Sequence, residues 1–72
     1  MYMENNIFGK RLKDLRLEKN LSQKELAKQI NVGKSIISGW EIGENNPTLP
    51  SLIAIADFFD VSIDYLARRV EY

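Results

Sequence analysis

"SQKELAKQINVGKSIISGWEIG", residues 22–43, decides the fold, because it encodes two short helices with almost nothing between them. Ser22 followed by Glu25 is a capping box. The serine hydroxyl accepts from the backbone N–H of the third helical residue, and the glutamate reaches back to the serine's own N–H. A helix therefore starts at Gln23. Leu26, Ala27 and Ile30 form its inner face. Asn31 tolerates the left-handed conformation that ends helices, which limits this one to about eight residues. Gly33 then stands at a cap position, and Lys34 opens a second helix that runs to about Ile42, with Gly43 as its stop.

At about 100° per residue, Ile37 and Trp40 share one side of this second helix, with Glu41 beside them. Ser35, Ser38, Gly39 and Ile42 lie on the other side, and Ile36 falls on the border. Two helices joined by about three residues make a helix-turn-helix, here residues 23–42. Outward from it, Phe8, Leu12 and Leu15 recur at spacings of four and three, predicting a helix over about 6–19 that Asn20 ends. After the loop "GENNP", Thr48 caps a further helix in which Pro50 sits harmlessly in the first turn. Leu52, Ile55, Ala56 and Phe59 are its inner face, and it stops near Asp60. Ser62 caps a last helix containing Ile63 and Leu66. The fold class is all-α: five short helices around one core, residues 7–67, too irregular for an up-and-down bundle.

Composition agrees. The 72 residues form one domain, 1–72, because a chain this short buries only about 60% of the surface its unfolded form exposes. There is no cysteine and no histidine, so disulfides, the usual structural zinc sets and the commonest general base are missing. That disfavours an enzyme and favours a reducing cytoplasm. No apolar run approaches the roughly 18 residues that span a bilayer, and "MYMENNIFGK" lacks the basic start and apolar core of a signal peptide. Net charge is zero but unevenly spread. Residues 1–34 carry eight Lys/Arg against four Asp/Glu, and residues 35–72 carry two against six. The sum opposes a strongly basic nucleic-acid binder, whereas the distribution leaves a basic first half.

From Phe8 to Leu66 the chain resembles the Cro and phage-repressor type of helix-turn-helix, the Xre family. The resemblance is carried by "LSQKELA" (21–27), by Trp40, Glu41 and Gly43, and by "IADFFDVSIDYL" (55–66), all in order at family spacing. It implies a lambda-repressor-like fold that binds operator DNA as a homodimer with the second helix of the motif in the major groove. Lys34, Ser35, Ile36, Ser38 and Gly39 then occupy positions that face base edges. Lysine donates to guanine O6 and N7, serine pairs with almost any base, and Ile36 either packs on a thymine methyl or is partly core. Gly39 departs from the long polar side chain common there. It signals a close backbone approach to a base pair or phosphate, or else weak binding.

Gln23 matches the residue that binds a phosphate at a helix start, with Lys24, Asn45 and Asn46 as further phosphate contacts. Glu44 repels phosphate, so the contacts are few and the salt dependence shallow. Arg16 and Glu41 match a structural ion pair tying the first helix to the third. Phe58, Tyr65, Val70 and Tyr72 are more apolar than the end of a small monomer requires. They form a dimer surface, or in the case of Phe58 and Tyr65 simply pack the last two helices together.

The function implied is a sequence-specific transcriptional regulator, a repressor, either complete or part of a longer chain, acting in a bacterial or phage-type cytoplasm on the nucleoid. No cofactor, metal or catalytic set is expected. The alternative is a protein-interaction module, such as an antitoxin that masks a toxin partner.

Overall fold

A computed structural model describes residues 6–67, and Val70 and Tyr72 of the expected dimer surface lie outside them. Five helices follow one another: α1 (Ile7–Glu18), α2 (Gln23–Gln29), α3 (Lys34–Glu41), α4 (Leu49–Phe59) and α5 (Ile63–Ala67). Each starts or stops on the residue whose chemistry predicts it. The capping box is complete, with the Glu25 N–H donating to Ser22 Oγ at 3.0 Å and the Ser22 N–H donating to Glu25 Oε1 at 2.8 Å. Thr48 Oγ1 accepts from the Ser51 N–H, and Ser62 Oγ from the Tyr65 N–H.

Four helices end by one device. Asn20, Asn31, Gly43 and Asp60 all have left-handed φ, between 56° and 81°. In each case the next residue donates its N–H five residues back: Leu21 to Arg16, Val32 to Ala27, Glu44 to Gly39 and Val61 to Ala56, at 2.8 to 3.0 Å. These bonds satisfy carbonyls that a helix end leaves orphaned, and an apolar residue normally follows to seal the closure against the core. Leu21, Val32 and Val61 do so. At the end of α3 the corresponding residue is Glu44, which is exposed.

The core is Phe8 and Leu12 from α1, Leu26 and Ala27 from α2, Ile37 and Trp40 from α3, Ile55, Ala56 and Phe59 from α4, and Leu66 from α5. Phe8 meets Trp40 edge to face, ring centres 5.9 Å apart. Helix α3 packs on both α2 and α1, and α5 packs on both α1 and α4. Away from these contacts, Lys34, Ser35 and Ile36 of α3 are exposed. No helix among the described residues is long and apolar enough to cross a membrane.

Candidate nucleic-acid interface

What holds α3 is more specific than apolar contact. Arg16 and Glu41 form a forked ion pair, with Arg16 Nε 2.7 Å from Glu41 Oε2 and Nη2 3.1 Å from Oε1. The third guanidinium nitrogen, Nη1, donates to the Leu21 carbonyl at 2.7 Å. The two side chains are only 9% and 4% exposed, so each charge depends on the other. Glu41 Oε1 also accepts from Gln23 Nε2 at 3.0 Å. One carboxylate thus joins α1, the start of α2 and the end of α3.

A second tie was not legible in sequence. Asn6 caps α1 by accepting from the Gly9 N–H, and its amide donates to the carbonyls of Trp40 and Glu41 at 3.1 and 3.0 Å. Two carbonyls at the end of α3 are thereby satisfied from α1. The approach is close enough that a Cβ on Gly9 would collide with the Trp40 carbonyl and the Asn6 amide. An Asn three residues before a Gly was the available signal. It also fits an ordinary cap, and nothing local announces the partner 34 residues away.

With its inner side fixed, α3 presents Lys34, Ser35 and Ile36 exposed and Ser38 half-buried. Ile36 is 38% exposed, so it is a surface residue and not core. Gln23 is half-buried at the start of α2, and Lys24, Asn45 and Asn46 are exposed. Lysine at the first position of a helix carries its charge where the helix N–H groups are already positive, a small electrostatic strain that a bound anion relieves.

Gly39 requires a correction. The sequence sets it on the open side of α3, offering its backbone, but it is buried. A Cβ there would collide with the side-chain amide of Asn45 and stand 3.1 Å from its Cγ. The N–H groups of Glu44 and Asn45 both donate to the Gly39 carbonyl, at 2.8 and 3.2 Å. The close neighbour of this glycine in the structure is Asn45 of the same chain.

Of the expected dimer surface, Phe58 and Tyr65 fall among the described residues. Phe58 is half-buried against the core and packs edge to face on Phe59, and Tyr65 carries the Arg11 guanidinium 4.4 Å over its ring. The more exposed apolar side chains include Leu49 at 62% and Ile53 at 44%, one turn apart on α4.

A helix-turn-helix family model matches residues 12–66. The chain belongs to the helix-turn-helix family, in its Cro and phage-repressor form. Among helix-turn-helix relatives, the transcriptional activator BcrR of Enterococcus faecalis is 46% identical over 64 residues, 89% of this chain and 31% of that protein. The transcriptional repressor RstR of a cryptic Vibrio cholerae phage is 37% identical over 65 residues, 90% of this chain and 59% of that one. The solved structure of SinR, a master regulator of biofilm formation, in complex with DNA superposes with a TM-score of 0.76 at 37% identity. It covers 82% of this chain and 95% of that one. The chain spans about a third to about half the length of the first curated relatives it matches.

Proposed function

We propose that the protein is a sequence-specific DNA-binding transcriptional regulator that lays α3 in the major groove of its operator. The observation that carries this reading is the division of α3. Its inner residues are locked to α1 and α2 by Trp40, Ile37 and the Glu41 network, and its outer row offers Lys34, Ser35, Ile36 and Ser38. A rigid helix with short donors and one apolar tip suits a groove about 12 Å wide, where lysine donates to guanine and Ile36 packs on a thymine methyl.

Gln23 supports the same reading. Its Nε2 is held by Glu41, so the first turn of α2, with its free N–H groups, is fixed relative to α3 and suited to a phosphate. Lys24 and the loop residue Asn46 flank α3 as further backbone contacts. With so few cations the affinity of one protomer is modest, which favours a homodimer on two half-sites about 34 Å apart. Leu49 and Ile53 join Tyr65 as surface for that pairing. Repression then follows from occupying the operator, in the cytoplasm where the DNA is.

Selection of bound sites from random DNA at two salt concentrations tests the proposal. A recurrent pair of half-sites is expected, and recovery of no preferred sequence at either salt refutes it.

A further inference from the structure

We infer that Asn45, a loop residue outside α3, reads a base edge and sets sequence preference at the place on α3 that Gly39 leaves vacant. The inference rests on the reading of α3 as the groove helix. Glycine within a helix costs about 1 kcal/mol relative to alanine, and here the missing Cβ is the space into which the Asn45 side chain is folded. Residue 39 lies one turn beyond Ser35 and Ile36, on the row that those two begin. Asn45 therefore completes that row from above, in place of a side chain of α3 itself.

Three features separate this asparagine from a filler. The left-handed Gly43 and the paired bonds from Glu44 and Asn45 to the Gly39 carbonyl fix its backbone over α3. The closure ends on exposed Glu44, where α1, α2 and α4 place an apolar residue against the core, and the next residue, Asn45, lies over Gly39 of α3. The residue is exposed, and none of the side-chain hydrogen bonds among the described residues involves it. Asn6, by contrast, uses its amide internally. An amide beside a groove helix pairs with adenine, accepting from N6 and donating to N7. Asn45 lines a shallow groove together with Ile36, Trp40, Glu44, Asn46, Thr48 and Ser51.

The experiment is site selection from random DNA with the wild type, Asn45→Ala and Gly39→Ala, each first checked by circular dichroism for helix content and cooperative melting. Affinities are then measured on the selected site and on random DNA at two salt concentrations. Asn45→Ala should lose preference at one base pair of each half-site and bind the selected site roughly tenfold to a hundredfold more weakly, with random-DNA binding and the salt slope unchanged. Gly39→Ala, folded, should relax the same base pair, because its methyl displaces Asn45 without touching the amide's chemistry. An equal loss on both DNAs makes Asn45 a phosphate contact and overturns the inference. So does an unchanged selected sequence in both variants. If the wild type itself selects no sequence, the reading of α3 fails first and takes this inference with it.

Discussion

Removing the Arg16 side chain is the sharpest test of how the interface is held in place. Arg16→Ala deletes two hydrogen bonds to Glu41 and one to the Leu21 carbonyl, and leaves a carboxylate only 4% exposed with Gln23 as its remaining partner. Breaking a buried pair from one side costs about 3–5 kcal/mol, chiefly because the surviving charge stays buried. At roughly 0.05–0.15 kcal/mol per residue, 72 residues give a total stability of about 4–11 kcal/mol. The loss therefore takes a large part of the stability or all of it, and the melting temperature should fall by at least about 12 °C. Urea and thermal melts followed by circular dichroism measure this directly. The companion variant Arg16→Met with Glu41→Leu removes both charges and should recover most of the loss, since paired apolar replacements are often neutral. A single variant that melts like the wild type, or a double variant no better than the single, would refute the account of a charge held by its partner.

Lys34→Ala should weaken binding to the selected site by about 1–3 kcal/mol and relax one base position in the same selection assay; an equal loss on random DNA would reduce Lys34 to a phosphate contact. Asn6→Ala strips donors from the carbonyls of Trp40 and Glu41 and should lower stability by about 1–3 kcal/mol in denaturant titration, whereas no change would mean that water replaces the amide fully. The Glu25 carboxyl is held below its ordinary value by the Ser22 backbone N–H first and the Ser22 hydroxyl second. A depressed carboxylate stabilises the fold above the unfolded-state value and loses that contribution as pH falls through the lowered one. The gap in melting temperature between wild type and Glu25→Ala should therefore be open at neutral pH and close under acid. A gap that persists in acid would contradict the charged capping box.

The helix boundaries were legible because they depend on chemistry within a few residues: Ser22 with Glu25, the left-handed asparagines and Thr48 before Pro50. The apolar spacings likewise predicted Leu12, Leu26, Ile37 and Ile55 as inner-face residues, and all four are fully buried. The candidate interface was legible only in part. Helical periodicity gives the direction of a side chain on its own helix, so Lys34 and Ser35 are exposed as expected. It says nothing about a loop returning over that helix, and so it did not reveal that Asn45 covers Gly39.

Five helices, the caps Ser22, Thr48 and Ser62 and the amphipathic division of α3 were readable from the residues, since each follows from hydrogen bonds and spacings inside one turn or two. Tertiary structure alone decided which distant groups meet. Asn6 reaches the end of α3 across 34 residues, Gln23 meets Glu41 across 18, and Asn45 covers Gly39. These pairings depend on the angle at which helices cross and loops return. That angle is set by the packing of the whole core around Leu12, Ile37 and Leu66, a property that no local stretch contains.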